Sequence, residues 1–198
     1  QLLANFMRRS FSYLVASEQQ LIASLKRRNE DLLVTLNSLR QTQNQLSTAE
    51  RLIQTDELTG LCNRRGLYQF IERLNERKPD TMFGVLLVDV DNFKQINDRN
   101  GHLVGDNVLC AVAQELLNLA VSCDLPCRLG GDEFALLAKI NSLDELKTRA
   151  MQIVTAVRAL RFAKPQEELR VTVSIGGAVY EHGGQWSMWY GEADSALY

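Results

Sequence analysis

The sequence predicts an α/β domain with a mixed central β-sheet flanked by helices, preceded by one long helix. Residues 1–54 contain neither Gly nor Pro, which favours an uninterrupted helix. From residue 55 onward, short apolar segments of strand length alternate with amphipathic segments of helix length, a pattern typical of α/β folds. We therefore divide the chain into a helix, residues 1–54, and a domain, residues 55–198.

Leucine recurs at heptad spacing along the predicted helix. One core position of the register holds Phe11, Glu18, Leu25, Leu32, Leu39, Leu46 and Ile53. The other core position holds Met7, Leu14, Leu21, Arg28, Thr35, Thr42 and Ala49, and so turns polar after Leu21. A lone helix packed on its own domain is the alternative. A helix of about 50 residues is long for that role, so we favour a parallel coiled-coil dimer.

Apolar spacing and turn residues predict the elements of the domain. In chain order these are a polar turn at 55–65, a helix at 65–77, a buried strand at 82–90, a short helix at 92–99, a helix at 105–121, strands at 125–129 and 133–138, a helix at 142–160, a strand at 169–179 and a helix at 186–198. Gly130-Gly131 between two strands predicts a hairpin. Ser142, with Glu145 three residues on, predicts a helix cap.

Composition limits the partners and the compartment. The net charge is -2 and the pI is about 5.8, so no global basic field is available to bind nucleic acid. The four cysteines lack the ligands that would complete a zinc site, which favours reduced thiols and a cytoplasmic location. No apolar run is long enough to span a membrane. Arg8-Arg9 leaves two alternatives open: anchoring of the full-length protein in the inner membrane, or a solvated helix face.

Two acidic sites stand at predicted strand ends. Asp89-Val90-Asp91 closes a buried strand, and Asp132-Glu133 lies in the Gly-Gly turn. Facing carboxylates repel one another unless a cation lies between them, and oxygen ligands with room for phosphate suit Mg²⁺. Acidic residues also simply decorate turns. Asp89 is harder to explain in that way, because it ends so apolar a strand.

An amide and a carboxylate follow the first acidic site. Asn97 and Asp106 could together satisfy the donors and the acceptor on a guanine edge. The alternative is that Asp106 caps the predicted helix at 105–121. Both roles could hold at once.

The spaced motifs of the domain resemble those of the GGDEF family of diguanylate cyclases. They are Asp56-Glu57-Leu58-Thr59-Gly60-Leu61 with Asn63-Arg64-Arg65; Asp89-Val90-Asp91 through Phe93-Lys94, Ile96-Asn97-Asp98, Gly101-His102 and Gly105-Asp106; Arg128-Leu129-Gly130-Gly131-Asp132-Glu133-Phe134; Val173-Ser174-Ile175-Gly176; and Ala193-Asp194 with Ala196-Leu197-Tyr198. So many motifs in one order make the resemblance specific. It implies a palm-like nucleotidyl-cyclase sheet that joins two GTP molecules into cyclic di-GMP and two pyrophosphates.

The resemblance also implies roles for individual residues. Asp89, Asp132 and the Val90 carbonyl would bind Mg²⁺, two ions per GTP with Mn²⁺ as a substitute, and Glu133 would complete this metal cluster. Asp132 would be the catalytic base. The substrate-binding residues would be Asn97 and Asp106 for guanine, with Phe93, Lys94 and His102 for the phosphates and ribose. Each GTP would react across a homodimer held by residues 1–54, which would set the orientation of the two domains.

Two departures from the family pattern stand out. Where many members carry Arg-x-x-Asp as a product-inhibition site, this sequence has Val121 and Asp124, so we expect weak inhibition by product. The sequence stops at Tyr198, so we expect the domain to be truncated at its C-terminus. The alternatives to a cyclase are a degenerate family member, a dimerising helix with a passive domain, or another nucleotidyl cyclase.

Overall fold

The computed structural model describes residues 2–77, 82–162, 169–180 and 185–197. The chain forms two compact units, Gln1–Arg51 and Leu52–Tyr198. The first unit consists of helix α1, Leu2–Ile53, except for its last two residues, and the seam leucines of α1 are open to solvent in the single chain. Leu25, Leu32 and Leu39 are 53%, 55% and 61% exposed. The Arg8 and Arg9 side chains lie outside the described part of the chain.

The second unit confirms the predicted α/β class with a mixed sheet. Its elements are β1 Cys62–Asn63, α2 Arg64–Arg77, β2 Met82–Val90, α3 Phe93–Asn100, α4 His102–Leu119, β3 Leu125–Gly130, β4 Glu133–Ile140, α5 Leu143–Ala159, β5 Val173–Tyr180 and α6 Trp186–Ser195. The strand order is β1-β3-β4-β2-β5. The β1–β3 pair is parallel and the other pairs are antiparallel.

Strand β2 is covered by helices on both faces, which explains its continuous apolar sequence. Leu86 and Val88 pack in a cluster with residues of α4 and α5. Val85 and Leu87 point the other way, into a cluster with residues of α2 and α6. The buried core therefore fixes β2 from both sides and leaves its last residues at the edge where the acidic motifs lie.

The start of α4 differs from the prediction. The helix begins at His102, and Gly101 before it, with a φ of 85°, makes no side-chain cap. The backbone oxygen of Gly101 accepts hydrogen bonds from the N–H groups of Val104 and Gly105. Asp106 therefore lies inside the helix, and its predicted role as helix cap is wrong.

Other boundaries bring one confirmation and two corrections. The Ser142 hydroxyl accepts a hydrogen bond from Glu145 N at 3.2 Å, so the predicted cap is confirmed. Strand β5 begins at Val173 rather than 169, because Leu169 forms only an isolated bridge with Phe162. Helix α6 ends at Ser195 instead of running on through 197, and residue 198 lies outside the described residues.

Candidate active site

Asp89 lies near the end of the central strand, between two neighbouring strands. It is paired in register with Glu133 of β4 and Ser174 of β5. Burial raises the pKa of Asp89 to about 6, and the charges of Asp132, Glu133 and Asp91 add to this effect. The end of β2 therefore carries an excess of negative charge that a cation would neutralise.

The turn between β3 and β4 presents Asp132 beside this strand end. Gly130 and Gly131 have φ values of 145° and 54°, in the region that favours glycine. A bulge between Arg128 and Gly130 interrupts the ladder before the turn. Val90 N donates a hydrogen bond of 3.3 Å to Asp132 O, which joins the turn to the end of β2. Two distant acidic motifs of the sequence thus meet at one edge of the sheet.

Asp91, the second acid of the first motif, is held by β5 and the residue before it. Its carboxylate accepts hydrogen bonds from the Thr172 hydroxyl and, at 2.7 Å, from the Ser174 hydroxyl. Asp91 N also donates to Thr172 O at 3.0 Å. The side chain therefore fastens the end of β2 to its neighbour. Asp89, the other acid of this motif, has no such hydrogen bond within the described parts of the chain.

Glu133 contacts two side chains outside the acidic motifs. Its Oε1 accepts a hydrogen bond of 3.2 Å from the Tyr190 hydroxyl on α6. Its Oε2 lies 3.7 Å from an Arg64 guanidinium nitrogen. Burial raises the pKa of Tyr190, and the Glu133 charge raises it further. Since both oxygens already have partners, Glu133 is the least available of the predicted metal ligands.

The acidic edge, which comprises Asp89, Asp132 and Glu133 at the end of β2 and in the Gly-Gly turn, supplies only some of the ligands that a cation needs. Among the described residues, no three His, Cys, Asp or Glu side chains converge well enough to hold a metal ion by themselves. Asp89 and Asp132 supply two carboxylates, and the Val90 carbonyl belongs to the same strand end. Mg²⁺ commonly takes one or two carboxylates together with water and substrate phosphates. The residues therefore fit a magnesium ion whose coordination a phosphate substrate completes.

Asn97 carries a buried acceptor without a partner. Its Oδ1 makes no hydrogen bond within the described structure. The amide lies against Gly105 of α4, where a Cβ would come within 1.9 Å of Oδ1 and 3.2 Å of the Phe93 ring. Asp106 follows Gly105 directly, so Asn97 packs against the chain neighbour of the second predicted guanine-binding residue. Lys94 and His102 are exposed on α3 and at the start of α4.

Arg128 holds the Gly-Gly turn, a role that sequence reasoning missed. Its Nε and Nη2 donate hydrogen bonds of 3.1 and 2.7 Å to Gly131 O. Its Nη1 donates to Asp56 Oδ1 at 3.0 Å. Burial alone would raise the pKa of Asp56, but hydrogen bonds from Thr59 and Arg128 lower it below its usual value. The available signal was an Arg just before the two glycines and an acid without a stated role at residue 56.

A pocket of about 380 Å³ opens beside the acidic edge. Asp89, Glu133 and Tyr190 line it, together with residues 172, 174 and 194. Asn97 and Asp106 do not belong to this lining, so they form a second, separate part of the site. The loop between β2 and α3 joins the two parts.

Val121 and Asp124 occupy the position at which the family pattern has its product-inhibition site, and here Asp124 is bonded within the domain. The Asp124 carboxylate accepts hydrogen bonds from Val121 N at 2.8 Å and Lys139 N at 3.0 Å, and pairs with Arg149. The Asp124 side chain is 0% exposed, whereas Val121 is 58% exposed. Asp124 is therefore occupied within its own domain.

Comparisons with known proteins identify the domain. The family model described as diguanylate cyclase, GGDEF domain, matches residues 53–198. The chain is 36% identical over 148 residues to the cyclic di-GMP phosphodiesterase PdeR of Escherichia coli (strain K12), covering 74% of this chain and 22% of the relative. It is 34% identical over 179 residues to the diguanylate cyclase DgcP of Pseudomonas aeruginosa, covering 86% of this chain and 26% of the relative.

A solved structure resembles both units of the chain. The coiled coil and GGDEF domain of DgcB from Caulobacter crescentus, in complex with c-di-GMP, match with a TM-score of 0.73 and 28% identity. The match covers 88% of this chain and 93% of that one. The chain spans only about a quarter of the length of the two curated relatives above, 22% and 26%. By its family match, its relatives and its fold, the chain belongs to the GGDEF family of diguanylate cyclase domains.

Proposed function

We propose that this protein is a diguanylate cyclase that condenses two GTP molecules into cyclic di-GMP and two pyrophosphates. Family membership alone does not decide this, because the relatives include a protein named as a phosphodiesterase. The observation that carries the proposal is the buried Oδ1 of Asn97, which has no hydrogen-bond partner among the described residues and lies against Gly105, the residue before Asp106. A buried acceptor without a partner is costly, so a donor from a ligand would stabilise it.

Guanine supplies the donors that this part of the site lacks. Its N1–H and N2–H₂ groups can donate to Asn97 Oδ1 and the Asp106 carboxylate, while the Asn97 amide nitrogen can donate to O6. Adenine offers no donor at N1 and presents an amino group where guanine has O6. The two residues therefore select GTP over ATP.

The acidic edge would hold the reacting groups. Asp89, Asp132 and the Val90 carbonyl, with Glu133 beside them, are the proposed ligands of two Mg²⁺ ions per GTP, for which Mn²⁺ can substitute. Bound Mg²⁺ neutralises charge that develops on the phosphates. Phe93, Lys94 and His102 are the proposed phosphate and ribose contacts.

Asp132 is the proposed general base. The Gly-Gly turn, which Arg128 holds at the Gly131 carbonyl, positions this carboxylate next to the end of β2. Asp132 would accept the proton of a 3′-hydroxyl as that oxygen attacks the α-phosphate of the second GTP. Pyrophosphate leaves, and the same step repeated on the other side closes the ring. Catalysis then rests mainly on positioning and charge neutralisation.

The second GTP requires a second subunit. We propose that residues 1–54 of two chains pair to form this homodimer. The exposed leucines of α1 support this assignment, since solvent-exposed leucines at heptad spacing are stabilised by pairing with a second helix. A coiled coil also precedes the GGDEF domain in the DgcB structure. In this proposal the helix pair sets how the two domains face one another.

Two further expectations follow from the site. Inhibition by cyclic di-GMP is weak, because Val121 offers no guanidinium and Asp124 is already paired with Arg149. Consumption of GTP places the domain in the cytoplasm. Among the described residues, none of the helices has the length and hydrophobicity that a membrane span requires.

The test is incubation of the dimeric protein with GTP and Mg²⁺, with products separated by chromatography and identified by mass. We expect cyclic di-GMP and pyrophosphate, and a loss of at least about 1000-fold in rate for Asp132→Asn, the scale of removing a central catalytic group. Asp144→Asn, at an exposed acid of α5, is the matched control and should retain full activity. Undiminished turnover by Asp132→Asn would contradict the assignment of the base.

A further inference from the structure

Two of the four cysteines face one another across the parallel strand pair. Cys62 of β1 is the register partner of Cys127 of β3. Both are free thiols, and each sulfur donates to a nearby backbone oxygen, Cys62 Sγ to Asn63 O at 3.4 Å and Cys127 Sγ to Leu125 O at 3.6 Å. Neither residue has a role in the proposed reaction. The pair is therefore a cluster of reactive groups that the cyclase chemistry leaves unexplained.

The backbone geometry suits a disulfide. Neighbouring strands lie about 4.8 Å apart, and disulfides form at Cα separations of about 4.4–6.8 Å. Gly66, in the first turn of α2, leaves room for the Cys62 sulfur, because a Cβ there would lie 2.5 Å from it. The thiols can therefore approach bonding distance by side-chain rotation, without separating the strands.

The two thiols differ in the way that an attacking and a resolving cysteine differ. The neighbouring Cys127 thiol lowers the pKa of Cys62; burial opposes this effect, and the nearby Arg73 charge reinforces it. Burial raises the pKa of Cys127 well above its usual value, and the neighbouring Cys62 raises it further. Cys62 is half-buried and Cys127 is fully buried. An oxidant that enters from solvent therefore meets the more reactive thiol first.

We propose that Cys62 and Cys127 form a reversible redox site that a peroxide closes to a disulfide. The Cys62 thiolate attacks one peroxide oxygen, the O–O bond breaks, and the sulfur becomes a sulfenic acid while hydroxide leaves. The Cys127 sulfur then attacks the Cys62 sulfur, its proton goes to the departing hydroxide, and water leaves. In sum, two thiols and one hydrogen peroxide give one disulfide and two waters.

Closure of the site would tie together two segments next to the Gly-Gly turn. Cys62 follows the turn that contains Asp56, and Cys127 directly precedes Arg128. Arg128 joins that same Asp56 to the Gly131 carbonyl. The disulfide would therefore add a covalent link to a contact that the β1–β3 pair and this ion pair hold only by weak bonds. The proposal holds whether or not the protein makes cyclic di-GMP.

The test uses the full chain carrying Cys110→Ala and Cys123→Ala, which leaves only the proposed pair. After treatment with hydrogen peroxide, we expect free thiols to fall from two to none and peptide mapping to find Cys62 joined to Cys127. The thermal midpoint should rise by about 5–10 °C, because the bond closes a long loop, and a dithiol reductant should reverse both changes.

Single replacements provide the controls. Cys62→Ala and Cys127→Ala, each in the same background, should show no change of midpoint with peroxide; Cys62→Ala keeps this control usable if the replacement of buried Cys127 impairs folding. Conversion of Cys62 to sulfinic acid with Cys127 still free would overturn the proposal. So would a disulfide that joins two chains instead of one.

Discussion

Gly105→Ala tests the guanine site without touching a predicted ligand. The new Cβ would lie 1.9 Å from Asn97 Oδ1, far inside van der Waals contact, and 3.2 Å from the Phe93 ring. The Asn97 amide must therefore move. Because Oδ1 has no other hydrogen bond in the described structure, its displacement removes an acceptor that we assign to guanine.

The size of the effect follows from one hydrogen bond. Loss of a partner for a buried polar group costs about 1–3 kcal/mol, so KM for GTP should rise by about 5- to 150-fold. The free energy of unfolding should change less, since alanine is favoured over glycine in a helix by about 1 kcal/mol and this offsets part of the crowding. Steady-state kinetics with GTP and urea unfolding measure the two quantities separately.

A second glycine in a helix provides the matched control. At Gly191 of α6, no atom of the described residues, apart from its chain neighbours and its own helix backbone, lies within 4 Å of the place that a Cβ would take, so Gly191→Ala makes the same chemical change in open space. We expect it to leave KM unchanged. If Gly105→Ala also leaves KM for GTP unchanged while the protein stays folded, the assignment of Asn97 to guanine recognition is refuted.

Three further predictions concern charge, the buried ion pair and the helix. Without divalent cations, Asp89→Asn should be more stable to urea than the parent at pH 8, and this advantage should be smaller at pH 5 and vanish below the ordinary aspartate pKa of 3.8. Because the pKa of Asp89 is raised to about 6 in the folded protein, the parent protein loses stability as the pH rises through that value. Asp124→Ala should lower the free energy of unfolding by about 3–5 kcal/mol in urea, because it leaves Arg149 buried without its partner. Replacement of the seam leucines at 25, 32 and 39 by Gln should give a monomer by analytical ultracentrifugation and abolish turnover.

Each of these has its own contradicting result. An equal advantage of Asp89→Asn at both pH values would show that the ionised Asp89 carboxylate, buried beside other acids, is not the cause. Full stability of Asp124→Ala would show that the ion pair contributes little. Val34→Gln, at a residue 70% exposed but outside the heptad core positions, is the control for the helix and should stay dimeric. A leucine variant that is monomeric and fully active would overturn the role of the coiled coil.

Much of the fold could be predicted because the features concerned depend on residues that are close together in the sequence. The apolar run of β2, the two glycines of the hairpin and the Ser142 cap each depend on residues within a few positions of one another. The start of α4 was missed because Gly101 caps it through the backbone alone. A pattern that looks for a capping side chain favours Asp106 instead.

The residues of the candidate site could be predicted from the sequence, but the contacts that hold them in place could not. Asp89 and Asp132 could be found by type and position, but their meeting depends on strand order. Arg128 reaches Asp56 across 72 residues, and Ser174 reaches Asp91 across 83. No periodicity in the sequence reports such contacts, because the sheet and not the local chain brings these residues together.

The most direct test of the central claim is the stoichiometry of the reaction. With the dimeric protein, GTP and Mg²⁺, simultaneous measurement of GTP, cyclic di-GMP and pyrophosphate over time should show two GTP consumed for one cyclic di-GMP and two pyrophosphates. ATP in place of GTP should give no cyclic product. Binding of GTP by the intact dimer without any cyclic di-GMP, or release of a linear product alone, would contradict the account.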